Sequence, residues 1–360
     1  MNTVRFAVIG CGRVAGNHLH ALQELPGAVV AAVCDLKPER AKAYSDQYGM
    51  PAYTNYHTML RKEAVDVVCV LTPSGMHPTH ALDIIRRYRT HVVVEKPMAL
   101  RLADLDTLRT AAAEAKVRIF PVYQNRYNKP VRFLRQALQN GQMGRPVLAT
   151  VRLRWCRPQR YYDRDPWRGT WSMDGGALTN QGIHYLDLLL YLMGDARQAF
   201  AQTATQLVQV EVEDTAVAAL RFENGALGVV EVTTAARPDD FEASISVLTE
   251  QGTAVVGGLT ANRLTVWTPD PGACETHSED VPNAYGLGHR PLLADVIADL
   301  RGERPHPISF QEGTRAIGLL NALYRSAEDG LPVALKDRPG SRFLGREDSA
   351  LRALYCSDPE

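Results

Sequence analysis

Val8-Ile9-Gly10-Cys11-Gly12-Arg13-Val14-Ala15-Gly16 follows a β-branched run, Val4 to Ile9, and opens a segment with helical periodicity, Val14 to Leu25. The spacing is G-x-G-x-x-A. Gly10 makes the tight turn, Gly12 leaves the backbone bare enough for a pyrophosphate to approach, and Ala15 lets the helix lie close to the sheet. The N-terminus of that helix turns amide N–H groups toward an anion. Asp35 ends the next apolar run, Val29 to Cys34. A carboxylate there accepts hydrogen bonds from ribose hydroxyls and repels a 2′-phosphate, by roughly 4 kcal/mol at a few ångströms with an effective dielectric near 20. The pattern predicts a dinucleotide site that takes NAD, with Gly10, Gly12, Arg13, Val14 and Asp35 as contacts. Lys37 and Arg40 are nearby cations that oppose the discrimination.

Working outward, two more apolar runs appear, Val65–Leu71 and His91–Glu95, and helical patterns cover Pro38–Tyr48, Pro78–Arg87 and Leu102–Ala115. Strands alternating with helices of this length predict βαβ units and a parallel sheet. The character changes near Asn140-Gly141. After a helical segment, Leu178–Met193, residues 199–268 read as successive strands. Asn224-Gly225 predicts a tight hairpin in which both loop positions tolerate positive φ, and Gln251-Gly252 a second reversal. Helices near Pro291–Leu300 and Phe310–Ala327 complete a second α/β domain whose sheet is antiparallel, with helices on one side.

The bulk properties exclude several classes. Among 360 residues, 40 Lys+Arg balance 40 Asp+Glu, whereas a generic nucleic-acid or membrane-surface binder carries a basic excess. Six scattered cysteines without a C-x-x-C pair argue against a disulfide scaffold or a cysteine zinc site. No apolar run approaches the roughly 18 residues of a membrane span, and no signal-peptide pattern precedes Val4. The expectation is a reduced, cytoplasmic protein without nucleic-acid or membrane partners.

Three features carry candidate chemistry. Lys96, in Glu95-Lys96-Pro97, follows the strand Val92-Val93-Val94, at the carboxyl end of the parallel sheet where ligands bind. A desolvated lysine there can act as general acid or base, although a lone lysine after a strand is more often solvated. In Asp174-Gly175-Gly176-Ala177-Leu178-Thr179-Asn180-Gln181-Gly182-Ile183-His184, Asn180 and His184 stand four apart on one helical face. An imidazole there can take a proton from an alcohol while Asn180 fixes its position. Between Arg145 and Arg168 lie seven arginines together with Trp155, Trp167, Tyr161 and Tyr162. Guanidinium forks match phosphate and carboxylate oxygens and flat rings stack on a base, so the cluster points to a polyanionic small molecule; salt bridges or a subunit interface are the alternatives. His77 and His80 have helical spacing but no adjoining third ligand, so no metal site is expected.

These landmarks together resemble the glucose–fructose oxidoreductase/inositol dehydrogenase (Gfo/Idh/MocA) family. They are the Gly10–Ala15 turn, Thr72-Pro73 followed by His77, Glu95-Lys96-Pro97 and the Gly175–Asp187 segment. The resemblance implies a Rossmann domain (1–123), a substrate-binding and oligomerisation domain with an open, mostly antiparallel sheet (124–335), a C-terminal tail (336–360), and a homo-dimer or homo-tetramer. It implies that Lys96 and His184 flank the nicotinamide and the oxidised carbinol. Thr72, Pro73, Ser74, His77 and Glu95 then border the cofactor.

Arg154-Trp155-Cys156-Arg157, Tyr161-Tyr162-Asp163, Trp167-Arg168-Gly169-Thr170-Trp171 and Tyr285-Gly286-Leu287-Gly288-His289 are similar to one branch of that family. Its members oxidise the C3 hydroxyl of a UDP-linked aminosugar uronate, UDP-N-acetyl-2-amino-2-deoxy-D-glucuronate, in the assembly of bacterial surface polysaccharide such as the lipopolysaccharide O-antigen. The likeness implies Arg154, Arg157, Arg160 and Arg168 as substrate contacts beside Asn180 and His184, with Asn125, Arg126 and Tyr127 as secondary ones. Asn180 departs from the many polyol dehydrogenases that carry Asp four residues before the histidine. A dehydrogenase of a free polyol or sugar acid, and a nucleotide-sensing regulator without catalysis, are the competing readings.

Overall fold

The computed structural model describes residues 3–357. Contacts divide the chain into two units. The first begins with β1 (Val4–Ile9), α1 (Ala15–Gln23), β2 (Ala28–Cys34), α2 (Pro38–Tyr48), β3 (Ala52–Tyr53) and α3 (Tyr56–Lys62). It continues with β4 (Val67–Val70), α4 (His77–Tyr88), β5 (His91–Val94), α5 (Leu102–Ala115) and β6 (Ile119–Pro121). Its six strands run in the order β3-β2-β1-β4-β5-β6, and every pair is parallel. Val67, Val68, Cys69 and Val70 are all buried, as are Val92, Val93 and Val94. A strand covered by helices on both faces has no reason to alternate. Pro38 starts α2 with its φ already helical, and Asn55 starts α3 by accepting from the amides of His57 and Thr58. The strand order reverses between β1 and β4, which places the glycine turn and the loop after Leu71 at the crevice where such sheets bind ligands.

The second unit runs through α6 (Lys129–Gln139), β7 (Pro146–Arg154), α7 (Gln159–Tyr162), a π turn (Leu178–Gly182) and α8 (Ile183–Met193). Six strands follow: β8 (Ala196–Ala204), β9 (Thr215–Phe222), β10 (Leu227–Thr233), β11 (Glu242–Thr249), β12 (Thr253–Gly257) and β13 (Arg263–Trp267), then the short α9 (Ala273–Thr276). With β14 (Val333–Ala334) they form an eight-stranded sheet, β13-β12-β11-β7-β10-β9-β8-β14, in which only β7 and β10 pair in parallel. Ala149, Val151 and Leu153 of β7 are buried, as are Val230 and Val232 of β10. Arg152, Arg154 and Glu231 alternate with them and face the other side of the sheet.

Two expectations need correction. At the Asn224-Gly225 hairpin only Gly225 has positive φ (+88°). Its amide donates to the Phe222 carbonyl at 3.0 Å, and Asn224 Oδ1 instead accepts from the Ala226 amide. The loop is therefore a turn closed by one left-handed glycine, not a two-residue mirror turn. The second correction concerns α10 (His289–Leu300), which belongs to the first unit together with residues 301–314 and with α12 (Ser349–Ala353). The first turn of α11 (Phe310–Asp329) does too, and the remainder lies in the second unit. A single domain from 124 to 335, as the sequence suggests, therefore does not hold. In the structure Leu292, Leu293 and Val296 of α10 are buried within the unit that holds α1.

Candidate active site

In the first unit the glycine turn has the stereochemistry its sequence requires. Gly10 has φ +89°, and a Cβ there would meet the Leu71 carbonyl oxygen at 2.5 Å. A Cβ on Gly12 would meet nothing within 4 Å, so open space lies over that backbone. Ala15 is fully buried, and no side chain caps α1. Arg13 is exposed and Val14 half-buried on the same turn. Asp35 accepts from the amides of Cys11 and Lys37, both at 2.8 Å. The sequence points only to a ribose role, but this carboxylate also holds the glycine turn against the end of β2. The set fits a dinucleotide: a bare backbone, an uncapped helix start and an acidic group at the second strand.

From Val92 to Leu100 every residue is buried except Lys96. Its surroundings are tightly bound. Glu95, 5% exposed, places Oε1 2.8 Å from His18 Nε2 and 3.6 Å from His289 Nε2, and Oε2 accepts from the Lys96 amide at 3.1 Å. Burial pushes the Glu95 carboxyl upward, but hydrogen bonds and charge from His18 and His289 outweigh it and hold the group well below the usual range. The His18, Glu95 and His289 ligand atoms lie within 4.8 Å of one another, a grouping that a metal ion could bridge and that no local sequence spacing reveals. The 2.8 Å approach of His18 is nevertheless a hydrogen-bond distance. His77, 2% exposed, places Nδ1 2.8 Å from the Pro97 carbonyl and Nε2 2.8 Å from the Thr72 carbonyl. It staples the loop carrying Thr72, Pro73 and Ser74 to the one carrying Lys96. Burial, opposed by those carbonyls and by Glu95, lowers its pKa. Thr72 Oγ1 lies 3.0 Å from His80 Nδ1, and burial pushes His80 down to about 4.

In the second unit, Ser172 through Leu190 are all buried except Asn180 and His184. The regular helix expected here begins as a π turn, a wider coil often found at functional sites; Asn180 lies in that turn and His184 in α8. The Asn180 amide donates to Asp174 Oδ1, and Asp174 Oδ2 accepts from the Gly169 amide at 2.8 Å. Beneath them, buried Glu213 accepts from the Leu178 amide and the Tyr324 hydroxyl, both at 2.9 Å. Burial raises its carboxyl to about 7. The sequence singles out neither Asp174 nor Glu213 as a site residue. Asp174 opens the glycine turn, but only tertiary packing shows what it touches.

The arginine cluster divides. Arg154 sits between Glu231 (2.5 and 2.9 Å) and Glu242 (3.2 Å) on the sheet face opposite the buried one, so it is not brought together with Asn180 and His184. Arg157 pairs with Asp240 at 2.8 Å and lies over the Trp155 and Tyr161 rings. Arg168 lies over Trp167 and Tyr161 and donates to the Tyr161 hydroxyl at 2.7 Å. Gln181 also donates to that hydroxyl, at 3.4 Å, which ties this loop to the segment bearing Asn180. Burial raises Tyr161 to about 12. Among the described residues Arg160 and Arg164 make no ion pair, and both are exposed. Of the secondary candidates, Arg126 forms a bidentate pair with Asp187 at 2.8 and 2.6 Å, both buried. Asn125 is buried, with Oδ1 3.4 Å from the Thr260 hydroxyl, and Tyr127 is half-buried. No helix of the described residues is long and apolar enough to cross a membrane.

Comparison with known proteins matches this architecture unit by unit. Residues 4–123 match the oxidoreductase family with an NAD-binding Rossmann fold, and residues 131–255 match the GFO/IDH/MocA C-terminal domain. The crystal structure of the WlbA dehydrogenase from Bordetella pertussis, in complex with NADH and UDP-GlcNAcA, is 39% identical. It covers 92% of this chain and 98% of its own, with a TM-score of 0.88. The WlbA dehydrogenase from Chromobacterium violaceum, in complex with the same two molecules, is also 39% identical, covering 93% and 96% with a TM-score of 0.86. Myo-inositol 2-dehydrogenase from Thermotoga maritima is 25% identical over 340 residues, 93% of this chain and 99% of that protein. An NAD-binding glycine turn, an E-K-P strand end and this depth of likeness place the chain in the Gfo/Idh/MocA family of oxidoreductases acting on CH–OH groups.

Proposed function

We propose that the protein oxidises the C3 hydroxyl of UDP-N-acetyl-2-amino-2-deoxy-D-glucuronate to the 3-keto sugar, in the assembly of bacterial surface polysaccharide. The observation that carries this reading is the likeness, over more than nine-tenths of the chain, to two dehydrogenases crystallised with NADH and UDP-GlcNAcA. Gly10, Gly12, Arg13, Val14 and Asp35 would hold NAD, with Thr72, Pro73, Ser74, His77 and Glu95 at its border, and the bound cofactor would accept the hydride.

The chain's own residues handle the proton. His184 and Lys96 are the two accessible titratable side chains within otherwise buried runs; one takes the C3 hydroxyl proton as the hydride leaves, and the Lys96 ammonium steadies the developing oxyanion. Arg160 and Arg164, exposed and without an ion pair among the described residues, are the guanidinium groups most open to the pyrophosphate and carboxylate; Arg157 and Arg168 join them while sharing their charge with Asp240 and Asp165. Arg164 replaces Arg154, whose guanidinium Glu231 and Glu242 already occupy.

A free polyol is the second reading, favoured by the full-length likeness to an inositol dehydrogenase. Incubation with NAD⁺ and either the sugar nucleotide or myo-inositol, with 2-oxoglutarate added to reoxidise any NADH the protein retains, followed by mass spectrometry, separates the two. Loss of two hydrogens from the sugar nucleotide is expected, and Lys96→Met should abolish it while NADH fluorescence binding persists. An unchanged sugar nucleotide beside oxidised myo-inositol would favour the polyol.

A further inference from the structure

We propose that Asp174 is a positioning residue for the alcohol oxidation: it fixes which way round the Asn180 amide stands, four residues before His184 on the same helical face. The inference rests on the reading of this segment as the proton-handling part of a dehydrogenase.

Asp174 is 1% exposed. One of its oxygens accepts from the Gly169 amide and the other from Asn180 Nδ2. A carboxylate offers no proton, so the NH₂ end of the Asn180 amide must face it, and the choice between the two amide orientations is made by chemistry. The amide oxygen then points away from Asp174. Asn180 is also one of only two residues between 172 and 190 that are not buried. A buried anchor thus holds one end of an accessible amide. The charge on the anchor strengthens the bond and polarises the group.

The backbone enforces the arrangement. Gly175 has φ +70°, and a Cβ there would sit 2.2 Å from Thr179 Oγ1. A Cβ on Gly176 would lie 1.9 Å from Glu213 Oε2. The two glycines let residue 174 fold back under residue 180.

The test compares Asp174→Asn, Asn180→Asp and the double exchange D174N/N180D. D174N sets amide against amide, so kcat should fall roughly 100-fold with KM and NADH affinity little changed, the size of a small misplacement at a reacting centre. N180D brings two carboxyl groups together, and such a pair shares one proton. Its kcat and its Tm should therefore both fall as pH rises and the shared proton leaves, on top of the wild-type profile. The double exchange separates amide and carboxylate again and should restore the wild-type pH profile. Tyr161, Tyr162 and Glu213 also feel the Asp174 charge, Arg168 lies beside Tyr161, and His184 stands four residues after Asn180 on the same helical face. All five are common to the proteins compared, and repeating the Tm series in Glu213→Gln removes a buried carboxyl that titrates in the same range.

Wild-type kcat in D174N, or an unaltered pH profile in N180D, would overturn the proposal. A D174N protein that loses Tm, kcat and KM together, beside an unaltered N180D profile, would mark Asp174 as structural only. If wild type leaves the sugar nucleotide unchanged, the functional reading falls by itself, and the four proteins are compared on myo-inositol. The Tm of N180D against pH reads the pair without any substrate.

Discussion

Two stretches of the second unit carry its main candidate side chains and present them in opposite ways. From 172 to 190 the chain buries everything except Asn180 and His184. From 145 to 168 it displays seven arginines, and five of them lie within ion-pair distance of Glu250, Glu242, Glu231, Asp240 or Asp165. A dense run of charge is largely consumed by its own counter-charges. A polar residue in a buried run stands out instead by its exposure, as Asn180 and His184 do. The two stretches mark their polar groups differently, one by contrast with the surroundings and the other by abundance.

The comparison can be broken most sharply at the buried end. Asp187 belongs to the buried stretch, and its pair with Arg126 is enclosed on both sides. Arg126→Ala leaves an uncompensated buried carboxylate and should cost about 3–5 kcal/mol of stability. A denaturant midpoint close to wild type would show that the segment is not as sealed as its burial indicates. Arg154→Ala, by contrast, should stay within about 1 kcal/mol, in the range of exposed pairs.

Next in size is Glu213, whose carboxyl is raised by burial from 4.5 to about 7. Between those values the unfolded chain has released the proton while the folded chain keeps it, so stability declines as pH rises through this window and stays reduced above it. The shift corresponds to a penalty on the order of 3 kcal/mol above pH 7. Glu213→Gln should flatten the decline, read as Tm measured from pH 5 to pH 8 against wild type. A parallel pair of curves would remove Glu213 as the titrating group.

The smallest effect tests the charged stretch itself. Arg160→Ala/Arg164→Ala should raise KM for the sugar nucleotide several-fold, at up to about 1 kcal/mol for each exposed charge, whereas Arg154→Ala should leave KM within twofold. Equal effects from the two variants would erase the distinction between occupied and unoccupied arginines.

The same contrast explains what the sequence discloses. The glycine turn, the apolar strands of the first unit and the Leu178–Met193 helix are legible because each rests on local periodicity or on a residue that only one backbone conformation suits. Lys96 is legible by its place after a strand, and Asn180 and His184 by their four-residue spacing. The partners are not. Arg126 and Asp187 lie 61 residues apart, and Arg154 and Glu231 lie 77 apart; no periodicity links such pairs. Strand β7 and the short strands β3 and β6 do not read as strands, since β7 mixes Arg and Thr with its apolar residues and the others span two or three positions. Helix α10 is legible as a helix but not as part of the first unit, because amphipathic pattern says that a face is buried without saying against what.

That last assignment has a consequence for the order of synthesis. Glu95 emerges from the ribosome early, but His289, which completes the enclosure of its carboxylate, is made only after Tyr123–Gly288 of the second unit. A nascent chain ending at Val122 has the glycine turn and the whole parallel sheet, yet leaves one side of Glu95 open and the flank of α1 bare. The nucleotide-binding half begins before the second unit and is finished after it, and a chain truncated after residue 122 would never finish it.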